Sequence, residues 1–196
     1  MVKYRKSAVI TEHLSEEAAN SGVWIFVTID MIIFLLLFVV FLTERSNDIP
    51  LFISSQLHLN VTIGFINTII LITSSWLVAS SIQSFRKNVP HNGIRSLNLA
   101  LFLGFLFLLF KLYEYTEKIN SGASIIGNYF YLLYFTLTFL HMLHVIGGIV
   151  GLFIVRGNLI RSFDRKALQS IEVVGIYWHM VDLLWIILFP LLYLLR

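Results

Sequence analysis

Apolar residues come in five long runs along this chain, at about 23–43, 61–83, 94–113, 129–155 and 172–195, with polar residues clustered between them. Each run has room for the roughly 20 mostly apolar residues that an α-helix needs to cross a bilayer. None shows the two-residue alternation over ~10-residue segments that marks the strands of a membrane barrel. The pattern predicts an all-α polytopic membrane protein, a single bundle of five transmembrane helices joined by short loops. Residues 1–22 are polar and mixed in charge (Lys3, Arg5, Lys6, Glu12, Glu16, Glu17) and read as a cytoplasmic N-terminal segment, with 23–196 as one membrane domain. No short apolar stretch in that segment ends in a small-residue cleavage site, so the first run itself is expected to direct insertion. The fourth run is longer than a crossing needs, and its ends are expected to project or tilt. Pro50 and Pro90 fall in expected loops. Pro190 lies inside the last run and is expected to kink or loosen it by removing a backbone donor.

Composition sharpens this picture. Of 196 residues, 58% are hydrophobic and 13% charged, and 17 are Phe. Soluble domains run nearer half apolar and a quarter charged. Too few polar residues remain to cover a water-facing surface, which argues against a soluble dinucleotide-binding enzyme, a nucleic-acid-binding protein and a disordered tail. There is no Cys, which removes disulfides, thiolate chemistry and Cys-ligated metals. The net charge of +3 matters less than where the basic residues fall. Ten of them lie at the N-terminus and in the second and fourth loop regions (Lys3, Arg5, Lys6, Arg86, Lys87, Arg95, Arg156, Arg161, Arg165, Lys166), and four on the other side (Arg45, Lys111, Lys118, Arg196). An excess of Lys and Arg marks the cytoplasmic side, so the N-terminus is expected in the cytoplasm and the C-terminus in the periplasm.

Ionisable groups inside a span are costly and usually face the bundle interior. Asp30 stands eight residues into the first run. It reads as a proton-exchange candidate or as a neutral, hydrogen-bonded carboxyl pinning helices together. Lys111 and Glu114 are i,i+3 neighbours at the end of the third run and can pair; the flanking Tyr113 and Tyr115 suggest an interfacial pair in an aromatic belt. His141 and His144 share a face of the fourth helix, and His179 and Asp182 share one of the fifth. A b-type haem usually needs a His from each of two helices, and a zinc site three or four ligands. The favoured reading of both pairs is therefore structural hydrogen bonding between helices, with no metal and no catalytic residue in this chain. Glu172, near the start of the fifth run, suits the positive end of a helix dipole. Gly147 and Gly151, with Gly148 between, are spaced to let another helix approach closely, and Asn67, Thr73, Ser74, Ser75 and Ala79 form a small, polar stripe on the second helix.

The longer runs around these residues carry a resemblance. The fourth helix reads His141-Met142-Leu143-His144-Val145-Ile146-Gly147-Gly148, and the fifth Tyr177-Trp178-His179-Met180-Val181-Asp182-Leu183-Leu184-Trp185, ending in Tyr193-Leu194. The chain from Trp24 onward resembles subunit III of the haem-copper respiratory oxidases, whose helices carry His-x-x-His-Val-x-x-Gly and Tyr-Trp-His-Phe-Val-Asp-x-x-Trp. Asp30 falls where that family carries an acidic residue, and Glu114-Tyr115 matches its Glu-Tyr. Seven-helix members have two additional N-terminal helices, and this chain looks like the five-helix bacterial form, as in the quinol-oxidase branch. The stretch from Phe52 to Asn60, with Asn67-Thr68 and Thr73-Ser74-Ser75-Trp76, looks more like the branch that accompanies bacterial nitric oxide reductases.

The resemblance implies an accessory subunit of the bacterial inner membrane, with no cofactor of its own and bound phospholipid. Its implied partner is the catalytic subunit I of a haem-copper oxidase or nitric oxide reductase, with haem and copper held in the partner subunits. By resemblance Asp30 corresponds to the family's buried acidic residue, linked to lipid and proton supply; Asp is shorter than the Glu of the mitochondrial form. Two other functions compete: a haem-bearing membrane anchor pairing His141 or His144 with His179, and a small proton-coupled carrier using Asp30, Glu114 and Asp182. Five helices without an inverted repeat argue against the carrier.

Overall fold

The computed structural model describes residues 2–122 and 128–195, with residues 2–21 as backbone alone. The helices are α1 (Val2–Asn47), α2 (Ile49–Gln56), α3 (Val61–Arg86), α4 (Pro90–Asn120), α5 (Tyr129–Arg161) and α6 (Arg165–Phe189). A π-helical turn, Pro190–Leu194, closes the chain, and there is no strand among the described residues. Five segments are long and apolar enough to cross a membrane: Gly22–Asn47, Val61–Arg86, Pro90–Asn120, Tyr129–Arg161 and Arg165–Leu194.

Side-chain caps set three helix starts, at Val61 and Tyr129 where the expected runs begin, and at Arg165, seven residues ahead of its run. Asn60 accepts from the backbone N–H groups of Thr62 and Ile63, Asn128 from Phe130 and Tyr131, and Asp164 from Ala167. Each satisfies donors that the first helical turn leaves free. Because Asp164 caps α6, Glu172 lies two turns inside the helix and is no cap. It instead accepts from Arg86 Nε on α3 at 2.8 Å. Pro90 is the first residue of α4 rather than a loop residue, since a first-turn position needs no N–H. The same logic accommodates Pro50 in α2, a short helix absent from the sequence expectation, which Asp48 caps through Leu51 N at 3.1 Å.

Around the bundle, α3 forms a hairpin with α4 and packs against α6, α5 lies against α4 and α6, and α1 rests on α5 and α6. The hairpin turns at Asn88, whose φ of 56° is left-handed, a conformation Asn tolerates better than most residues. Two serine hydroxyls of α3 donate to α4 carbonyls: Ser81 to Gly93 at 2.8 Å and Ser74 to Ala100 at 3.0 Å. At the far end, Pro190 opens the π-helical turn, and the Gln56 amide donates to the carbonyls of Leu191 and Leu192, both at 3.2 Å. Thus α2 caps carbonyls that the wider turn leaves without helical donors.

The polarity of the bundle is that of a protein dissolved in lipid. Leu36, Leu109, Phe102 and Phe153 point outward, while Asn67, Ser74, Lys111, Glu114, His141 and Asp182 are buried. The loops bring Arg86, Lys87, Arg95, Arg156 and Arg161 to one end of the bundle, where Arg156 also reaches Asn98. Side chains of Lys3, Arg5, Lys6 and Arg196 lie outside the described residues.

Candidate functional site

The first polar cluster overturns the expectation of an interfacial Lys111–Glu114 pair. Both side chains are fully buried. α4 continues nine residues beyond Lys111, about 13 Å of helix, so what reads as the end of a span is interior. Lys111 Nζ donates to Glu114 Oε2 at 2.9 Å, Tyr193 OH at 2.9 Å and Tyr134 OH at 3.2 Å. Tyr193 OH donates to Glu114 Oε1 at 2.6 Å. All three ammonium protons and both carboxyl oxygens are engaged, which is what makes a buried ion pair tolerable. The ammonium also lies 4.9 Å from the centroid of Tyr134 and 5.1 Å from that of Trp185. One ion pair thereby joins α4, α5, α6 and the terminal turn.

The second cluster ties α1 to α5. His144 Nε2 lies 3.0 Å from Asp30 Oδ1, and His144 Nδ1 lies 2.7 Å from the carbonyl of Leu140. A carbonyl can only accept, so Nδ1 carries hydrogen. The Nε2–Oδ1 bond then needs a single further proton, which sits on the imidazole or on the carboxyl. In either state the pair is neutral as a unit, which suits its depth, and the second oxygen of Asp30 is buried with no partner.

Of the two i,i+3 pairs, one member of each, His144 and His179, makes the expected hydrogen bond to another helix, and the other member does not. His141 makes no hydrogen bond; its ring lies edge-on to Phe107 and tilted over Trp185, with centroids 5.7 and 5.2 Å away. His179 Nδ1 meets Ser75 Oγ of α3 at 2.5 Å, while neither oxygen of Asp182 has a hydrogen-bond partner. Asp182 therefore does not orient His179. The three intramembrane imidazoles serve different neighbours: His144 serves α1, His179 serves α3, and His141 packs among aromatic rings. The haem-anchor reading gains no support from these contacts. Among the described residues, no three His, Asp or Glu side chains gather around a point where a metal could sit. Asp30 and Glu114 serve separate contacts and Asp182 has no hydrogen-bond partner, so no hydrogen bond joins the three carboxyls.

The glycine expectation needs a shift of one residue. A Cβ on Gly148 would stand 2.5 Å from Trp178 Cε3, against 3.3 Å from Tyr177 Oη for Gly147 and 3.2 Å from Val174 Cγ1 for Gly151. Of the three glycines, Gly148 lies tightest against α6, under the Trp178 ring. The small stripe of α3 divides similarly: Ser74 faces α4 and Ser75 faces α6, while Thr73 bonds only to its own helix at Ile69. Sequence reasoning missed Gln56 and also Lys118, whose buried ammonium donates to the carbonyl of His58 at 2.5 Å. The carbonyls that Gln56 serves, those of Leu191 and Leu192, lie in the last helical turn, where no helical donor follows; nothing local says which residue supplies the donor.

Comparison with known proteins is consistent along nearly the whole chain. The family described as cytochrome c oxidase subunit III matches residues 7–195. Cytochrome c oxidase subunit 3 of Corynebacterium diphtheriae is 30% identical over 178 residues, covering 89% of this chain and 87% of that protein. Cytochrome bo(3) ubiquinol oxidase subunit 3 of Buchnera aphidicola is 30% identical over 178 residues, covering 88% and 92%. The haem-copper oxidase subunit I+III of Aeropyrum pernix is 29% identical over 189 residues, which is 91% of this chain but only 23% of that longer protein. These names are of oxidases; the nitric oxide reductase branch expected from Phe52–Asn60 gains no support from them.

Proposed function

Since the chain belongs to the cytochrome c oxidase subunit III family, we propose that it works as the accessory subunit of a bacterial haem-copper oxidase, embedded in the inner membrane. In this reading it binds the catalytic subunit and phospholipid and supports the stability and proton uptake of a partner that holds the haem and copper. One observation carries the reading beyond the family. The intramembrane charges Lys111, Glu114 and Asp30 are spent on helix-to-helix ties, not gathered at a reaction centre. That is the arrangement of a scaffold. Within the scaffold, the Asp30–His144 pair shares one proton and leaves the second carboxyl oxygen of Asp30 without a partner, which is the place where the pair can take up a proton and give it back.

Asp30→Asn tests the proton role. Asn keeps a hydrogen bond to His144 but cannot ionise, so the complex should assemble at its normal level while turnover falls twofold or more. Normal assembly with unchanged turnover would reduce Asp30 to a tie between α1 and α5.

The orientation belongs to the same proposal: the end bearing Arg86, Arg95 and Arg156 faces the cytoplasm. The chain has no Cys, so single cysteines report sidedness cleanly. In intact cells whose outer membrane has been permeabilised, a membrane-impermeant maleimide should label Leu57→Cys and spare Lys87→Cys. The reverse pattern would invert the topology.

A further inference from the structure

Asp182 is 3% exposed, and both its oxygens lack a hydrogen-bond partner. It lines a cavity of about 250 Å³ between α3 and α6, together with Ser75, Trp76, Ala79 and His179. A second hollow of about 480 Å³ shares Trp76, Ala79 and His179 and runs on toward Arg86, so the two form one open groove. The Ser75 hydroxyl beside Asp182 has a single proton, and its short bond to His179 competes for it. At least one carboxyl oxygen therefore lacks any donor within this chain. A carboxyl in such a place is costly unless something completes it.

Depth decides what can complete it. Ser75, His179 and Asp182 each lie at least eleven residues, about 16 Å of helix, from either end of their spans. Phospholipid headgroups and glycerol sit at the interface, so a partner bound at mid-membrane supplies its donor through a protein side chain. The groove wall suits a helix. Ser75 and Ala79 are small residues four apart, a spacing that admits a second helix backbone, and Trp76 stands beside them 66% exposed, a broad ring with no packing partner on its outer face.

We infer that the α3–α6 groove is the surface on which a transmembrane helix of the catalytic subunit docks, placing an amide or hydroxyl donor at mid-membrane against Asp182. This rests on the accessory-subunit reading, and it adds the contact face and the chemistry of the contact.

The test is made in native membranes with the whole complex. Ala79→Cys provides the one thiol of the chain, to which a maleimide benzophenone is attached before irradiation. Its adduct should map to a single transmembrane helix of the haem-carrying subunit, with the same probe on Leu36→Cys of α1 setting the lipid background. Adducts from Ala79→Cys to lipid alone, or to a second copy of this chain, would overturn the assignment. Two variants address binding without relying on the adduct. Ala79→Trp fills the groove from an exposed position, and Asp182→Leu removes a carboxyl whose one neighbouring donor, Ser75, is already bonded to His179. Each should leave the amount of chain in the membrane unchanged and lower recovery of the catalytic subunit at least tenfold. If the unaltered chain recovers no haem-copper subunit, the accessory reading itself fails. If it does and both variants recover as much, only the docking surface fails.

Discussion

Replacing Lys111 with Met will cost the bundle about 3–5 kcal/mol, the usual penalty for leaving one partner of a buried ion pair behind. The carboxylate of Glu114 would lose the ammonium at 2.9 Å and keep only the Tyr193 hydroxyl at 2.6 Å. Glu114→Gln should cost less than Lys111→Met, because an amide oxygen can still accept from the ammonium. The double variant Lys111→Met, Glu114→Leu removes both charges at similar volume and should recover most of the loss, since apolar replacement of a whole buried pair is often neutral. Thermal unfolding of the detergent-purified chain, followed by helical circular dichroism, reads all three. A double variant as unstable as Lys111→Met would mean that the tyrosine hydroxyls, and not the charges, hold this region together.

Gly148→Leu should prevent α5 and α6 from packing, at a cost beyond the roughly 1–3 kcal/mol of ordinary overpacking. Its Cβ would stand 2.5 Å from Cε3 and 2.8 Å from Cζ3 of Trp178, a side chain with no exposed surface and so no room to move. Protease resistance of the chain in native membranes measures this. Gly148→Leu should be cleaved rapidly, while Gly157→Ala, where a Cβ meets nothing within 4 Å, should behave as the parent does. Equal resistance for the two variants would contradict the packing described for α5 and α6.

The spans were legible because lipid demands long apolar runs, and five runs became five crossing helices. The starts of α3 and α5, behind Asn60 and Asn128, were legible; the start of α6 was not, because Asp164 lies in a polar stretch that looks like a loop, and the far ends of α3, α4 and α5 run on past the apolar residues. α2 escaped notice because eight residues beginning Ile-Pro carry no helical period worth reading. The pairing of Lys111 with Glu114 followed from i,i+3 spacing, yet its depth did not. The two tyrosines that complete it come from 23 and 82 positions away, distances at which only the fold brings residues together. For His179 and Asp182 the expected bond between helices is made by the imidazole alone. Sharing a helix face puts two side chains near each other, but the imidazole turned across to Ser75 on α3. The glycine run pointed to the correct helix contact and missed its centre by one residue, since the direction of Trp178 from α6 cannot be read from α5.

The central claim is that this chain is the cofactor-free companion of a haem-copper catalytic subunit. The most direct measurement is to extract native membranes in mild detergent, isolate the chain through a C-terminal tag, and determine which proteins, haems and copper come with it. The account predicts a large many-helix partner in a fixed ratio, with all haem and copper assigned to that partner or its companions and none to this chain once separated. Recovery of the chain alone under the gentlest extraction, or a haem that stays with the isolated chain, would contradict it.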